Sequence, residues 1–225
     1  VRRESWPAQR FAWADASRVA CASTPGAGAT IRREPSTTKS LHVLNFVLYQ
    51  TGWFATVLGA AWQRPWLGMS FAMALLAVHV VLTTNRRQEV RQIVLAVLVG
   101  LVVDTIQVWA GSFRFASGVI VTWLPPPWMA VMWAQFATTL RYCLLWLSGR
   151  YVLSAVMGLF GGPLAFFAGE RLGAITILAP RGPRFVLLGV LWMASLPLLV
   201  RAADRFQQGR ARPGRYRPRK EWRLE

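Results

Sequence analysis

The chain has 225 residues, 54% of them hydrophobic and only 16% charged, with a net charge of +17. A soluble domain carries about a quarter of its residues charged, so the composition excludes an ordinary water-soluble globule and leaves a membrane bundle with two tails. Nor does the charge imply a nucleic-acid partner: much of the excess sits at the two ends, and the arginine-rich end after Val200 lacks the interleaved aromatics of a nucleic-acid site.

Residues 1–40 are rich in Arg, Ala, Ser, Thr and Pro, show no sustained period and precede the first methionine, Met69. They read as a disordered basic segment, and Val1 fits a non-ATG start or an upstream extension outside the working protein. Arg32-Arg33 stands ahead of an apolar run, but Glu34-Pro35-Ser36 departs from a twin-arginine signal. The run that follows is too long for a signal core, so it is expected to stay as the first helix.

Six apolar stretches follow, at residues 41–62, 66–84, 91–112, 124–147, 151–168 and 183–200. About 20 apolar residues cross a hydrocarbon core as a helix. The connectors carry breakers such as Gln63-Arg64-Pro65, Ser148-Gly149-Arg150 and Ala179-Pro180-Arg181-Gly182, and Pro125-Pro126-Pro127 opens the fourth stretch where proline does least harm. The expected fold is all-α: a polytopic transmembrane bundle of about six spans over 41–200, between the 1–40 segment and a basic tail over 201–225. Six crossings return both tails to one side. Their basic character, shared by Arg86, Arg87 and Arg91, places them in the cytoplasm beneath a bacterial inner membrane, with the tail touching anionic lipid. Arg171, Arg181 and Arg184 in the fifth connector oppose this orientation mildly.

Small and polar residues recur at steps of three and four. Asn45, Tyr49, Gly52, Thr56 and Gly59 form one such face, and Ala96, Gly100, Asp104, Gln107 and Gly111 another. Ser154, Gly158 and Gly162 make a third, and these faces are expected to point into the bundle. Gly161-Gly162-Pro163 predicts a kink or break in the fifth helix.

Asn45, His79, Asp104 and Arg141 interrupt the apolar stretches, and polar groups at that depth are costly unless packing or function requires them. At about 1.5 Å of rise per residue, Asn45, His79 and Arg141 fall in one layer near the inner edge. Asp104, Gln107 and Gln135 fall in the outer half, with Glu170 and Arg171 as a pair at the outer boundary. Gln107, Gln135 or Thr138 is expected to satisfy the Asp104 carboxyl. An Asp104–Arg141 ion pair is not expected, because their depths differ by on the order of 15 Å. No G-x-S-x-G elbow, H-E-x-x-H pair or phosphate loop is present, and Cys21, Cys143, His42 and His79 have no metal-ligand spacing. No catalytic residue, metal or cofactor is therefore assigned.

The run Leu44-Asn45-Phe46 to Tyr49-Gln50-Thr51-Gly52-Trp53-Phe54, with Val57-Leu58-Gly59-Ala60-Ala61, resembles the opening helix of a family of small bacterial inner-membrane proteins called domain of unknown function 2878. Val103-Asp104, Phe136-Ala137-Thr138-Thr139-Leu140, Gly161-Gly162-Pro163-Leu164-Ala165 and Gly169-Glu170-Arg171-Leu172-Gly173-Ala174 extend the resemblance over about residues 41–200. Arg141-Tyr142-Cys143 departs from the polar stretch usual there. The resemblance implies a membrane bundle without an assigned activity and, through the fatty-acid-modifying methyltransferases whose genes neighbour this family, a lipid-related role. The expected function is a non-enzymatic accessory in a lipid- or envelope-related process, working through the bilayer and other membrane proteins. A small proton-coupled transporter using Asp104 and a lipid-modifying membrane enzyme are the alternatives.

Overall fold

The computed structural model describes residues 36–208; residues 1–35 of the expected N-terminal segment and most of the basic tail lie outside the described residues, while residues 36–40, expected in that segment, open the first helix. Six α-helices follow in chain order: α1 (Ser36–Ala61), α2 (Pro65–Leu82), α3 (Arg86–Trp109), α4 (Pro127–Thr139), α5 (Tyr151–Arg171) and α6 (Arg181–Gln208). Two short strands stand between them, β1 (Phe113–Phe115) after α3 and β2 (Ile175–Ile177) after α5. The fold is an all-α bundle, and five of its helices are long and apolar enough to cross a membrane.

The sixth, α4, corrects the expected span over 124–147. It has only 13 residues, after which the chain turns through Leu144 and makes a 3-10 turn at Leu145–Leu147. The Thr138 and Thr139 hydroxyls donate to the carbonyls of Gln135 and Phe136, three residues back, at 2.7 Å each. Such local bonds compete with the helical ladder and favour its end. Nine α4 residues are buried, on every side of the helix. That is the pattern of a helix enclosed by protein. Around it α1, α2 and α3 pack directly, α6 packs on α3, and α5 packs on α6.

The outer surface is inverted relative to a soluble protein. Val152 is 82% exposed and Phe160 68%, whereas Glu89, Gln92, Gln107 and Asp104 are buried. Apolar side chains face outward where lipid lies and polar ones bond between helices. Gly59 and Gly68 bring α1 and α2 together: a Cβ on Gly59 would stand 2.9 Å from the Gly68 Cα.

The expected break at Gly161, Gly162 and Pro163 is not there, since α5 runs unbroken from Tyr151 to Arg171 with Pro163 inside it. Proline leaves the carbonyl four residues earlier without its helical donor. That carbonyl, on Leu159, lies against Gly189 of α6, where a Cβ would be 3.0 Å from its oxygen. Close packing by the neighbouring helix accompanies a helix that stays continuous through the proline.

Beyond α3 and α5 the two connectors pair antiparallel, with Phe113 opposite Ile177 and Phe115 opposite Ile175. Phe113 stacks on Phe166 of α5 at 4.8 Å, so the ribbon closes one end of the bundle. At the opposite end lie the beginning of α1 and the last turns of α6. The final helix continues past Val200 to Gln208, and Asp204 is buried there: its carboxylate accepts from Ser148 Oγ (2.5 Å), Gly149 N (3.2 Å) and Tyr151 Oη (3.0 Å).

Candidate functional site

The polar residues gather in two places. At the end where α1 begins, Asn45 Nδ2 lies 3.4 Å from His79 Nδ1, and His79 Nε2 lies 2.9 Å from Glu89 Oε1. Arg141 Nη1 donates to the other oxygen, Oε2, at 3.1 Å, and Arg141 Nη2 donates to Gln88 Oε1 at 3.3 Å. The two contacts of His79 are met by the tautomer with its proton on Nε2, which donates to the carboxylate while Nδ1 accepts from the amide. Asn45 also donates to Thr138, and Cys143 Sγ stands 3.1 Å from Asn45 Oδ1. His79 of α2 and Arg141 of the turn after α4 thus meet on the Glu89 carboxylate of α3, and Asn45 of α1 joins them through His79.

That carboxylate, Glu89, escapes a reading by composition. It follows Arg86-Arg87-Gln88, which looks like a charged connector, yet α3 begins at Arg86 and Glu89 is completely buried. Spacing holds the missed signal. Glu89, Gln92 and Ala96 continue the Gly100, Asp104, Gln107 face backwards at helical steps. Arg141, mostly buried, pairs with this acid.

About 22 Å further along α3 lies the second group. Trp133 Nε1 donates to Asp104 Oδ2 at 2.8 Å, and the Trp133 ring stacks on Trp192 of α6 with centroids 4.6 Å apart. Each indole seats on a glycine, Trp133 on Gly100 of α3 and Trp192 on Gly162 of α5, so one layer links four helices. The partner of Asp104 is therefore an indole rather than Gln107, Gln135 or Thr138. Gln135 points to another side of α4, over Gly52, and donates to the Ala72 carbonyl at 2.7 Å. Asp104 Oδ1 and both amide atoms of Gln107 have no hydrogen-bond partner among the described residues. Asp104 and Arg141 remain in separate groups.

Glu170 and Arg171 do not pair with each other. Arg181 makes a bidentate ion pair with Glu170 (3.0 and 2.5 Å), while Arg171 lies over the Phe167 ring. Glu170 also accepts from the Ile177 amide at 2.9 Å, tying the end of α5 to β2.

Beside the Trp133–Trp192 layer opens an apolar cleft with a cavity volume of about 50 Å³. Tyr49 and Trp53 of α1 form one wall and Phe166 of α5 the other, with Trp133 and Phe136 of α4 and Trp192 of α6 behind. α1 packs on α2 and α4 and α5 packs on α6, so the cleft separates two helices that are not each other's main neighbours. Among the described residues no three of His, Cys, Asp and Glu stand together as metal ligands.

A family model described as "Protein of unknown function (DUF2878)" matches residues 42–198. The chain belongs to that family. The match spans both polar groups and the cleft, whereas Asp204 lies beyond it. Among curated proteins and among solved structures nothing matches the chain.

Proposed function

We propose that this member of the family is a non-enzymatic accessory of a lipid- or envelope-related process in a bacterial inner membrane, and that its α1–α5 cleft receives the apolar chain of a lipid. The observation that carries this reading is the cleft itself. Its lining is aromatic and aliphatic, it lies inside a membrane bundle, and its two walls belong to helices that pack elsewhere. The polar groups support it from the other direction, because the Glu89 carboxylate is taken up by His79 of α2 and by Arg141 of the turn after α4. In this reading the end that holds Arg86, Arg87, Arg91, Arg201 and Arg205 faces the cytoplasm, anionic lipid meets the basic tail, and other membrane proteins are the working partners.

The test compares extracted lipids from deletion cells complemented with the wild-type chain or with Ala165→Trp, which fills the cleft. The expected result is a change in acyl composition on deletion that the wild-type chain reverses and Ala165→Trp does not. Identical lipids in all three strains would overturn the reading.

One observation favours a second reading. Asp104 Oδ1 and Gln107 hold buried polar atoms without partners, which suits a small proton-coupled carrier that passes its proton through Asp104. Unchanged flux in Asp104→Asn vesicles would remove it.

A further inference from the structure

The corner between α2 and α3 carries three arginines beside a groove. Arg86, Arg87 and Arg91 are exposed around an open pocket that also includes Thr84 and Asn85. The nearest acid in sequence, Glu89, is turned inward and consumed by His79 and Arg141. Among the described residues none of the three arginines is in an ion pair. Arg86 Nη2 donates to the Val81 carbonyl at 3.0 Å, which fixes that side chain over the end of α2. Asn85 makes no side-chain cap to α3, so the first amides of that helix add to the positive field.

Directly below runs a second groove, between α1 and α2, with a cavity volume of about 100 Å³. Leu44, Leu48 and Leu82 give it an apolar wall, Asn45, His79 and Tyr142 line its inner side, and Thr83 and Thr84 line both it and the arginine pocket. The two helices touch closely at Gly59 and Gly68, toward the other end, and leave this groove at the basic end. The order apolar groove, hydroxyls, arginines follows the order acyl chain, ester, phosphate of a phospholipid standing in one leaflet.

We infer that this surface binds one anionic phospholipid, its phosphate among Arg86, Arg87 and Arg91 and its acyl chain between Leu48 and Leu82. The site is separate from the α1–α5 cleft. Either can be lost without the other, so failure of one reading leaves the other standing. Charge complementarity and the continuity of the two pockets identify the occupant as a lipid rather than a soluble anion: a free phosphate would have no use for the leucine groove.

The experiment uses the full chain in detergent and native mass spectrometry with phosphatidylglycerol or phosphatidylcholine, each with and without excess inorganic phosphate. The wild-type chain should retain phosphatidylglycerol preferentially, and Arg87→Gln with Arg91→Gln should lower that preference by about thirtyfold, at about 1 kcal/mol per basic group. Leu48→Trp should weaken retention while the arginines remain. Both positions are judged in protein whose unfolding temperature matches the wild type, and Arg64→Gln with Arg114→Gln, exposed at the ribbon end of the bundle, is the charge-matched control that should leave the preference in place. An unchanged preference in the Arg87/Arg91 variant, an equal loss in the control, or full displacement by inorganic phosphate would overturn the inference.

Discussion

His79 Nε2 and Glu89 Oε1 stand 2.9 Å apart across the α2–α3 corner, and the second oxygen of Glu89 holds Arg141 at 3.1 Å. Removing one member of a buried ion pair leaves the other charge uncompensated, which costs about 3–5 kcal/mol. Arg141 keeps some access to the surface, so Glu89→Ala should fall near the lower end. Glu89→Gln retains an acceptor and should cost less. Thermal unfolding in detergent reads the order: wild type above Glu89→Gln above Glu89→Ala. Equal stability of all three would show that the pair does not hold the corner.

Two adjacent glycines give opposite expectations. A Cβ on Gly162 would run into the Trp192 ring, while one on Gly161 would meet nothing within 4 Å. Gly162→Ala should destabilise by about 1–3 kcal/mol through overpacking. Gly161→Ala should be neutral or stabilising by about 0.5–1 kcal/mol, because alanine is the better helix residue. Similar effects at both positions would contradict the seating of the indole on Gly162.

Trp133→Phe keeps an aromatic ring over Gly100 but removes the donor to Asp104 Oδ2. A buried acceptor without a partner costs about 1–3 kcal/mol. Asp104→Asn can still accept that bond and should be milder. If Trp133→Phe were as stable as the wild type, Asp104 would have to be satisfied by another group.

Asp204 lies beyond the family match yet accepts three hydrogen bonds from the turn after α4 and the start of α5. Asp204→Ala should loosen that end of the bundle. The expected readout is faster amide exchange at Gly149 and Tyr151, with little change at Trp133. Unaltered exchange at Gly149 would assign α6's last turns no role in the fold.

The bundle was legible because apolar length is a direct measure of what must face lipid, and five of six stretches became long helices. The fourth misled for a physical reason: an apolar run enclosed by protein and one surrounded by lipid have the same composition. The depth estimate placed Asn45, His79 and Arg141 in one layer; the structure bonds Asn45 to His79 directly and joins Arg141 to them through Glu89. A single acid beside three arginines reads as solvent-exposed unless the helix is known to begin before it. Gln135 and Asp104 share a depth but not a side of α4, and side is set by packing that hydropathy does not encode. The strands were hidden by their length: Phe113–Phe115 and Ile175–Ile177 are three residues each and pair only with each other.

The central claim is that a lipid chain enters between α1 and α5. Reconstitution with a phospholipid carrying a photoreactive group in its acyl chain, followed by peptide mapping, tests it most directly. Crosslinks should concentrate at Trp53, Phe136 and Phe166, and Ala165→Trp should remove them while sparing those on outward residues such as Phe160. Crosslinks confined to the outer face, or a pattern that Ala165→Trp leaves unchanged, would contradict it.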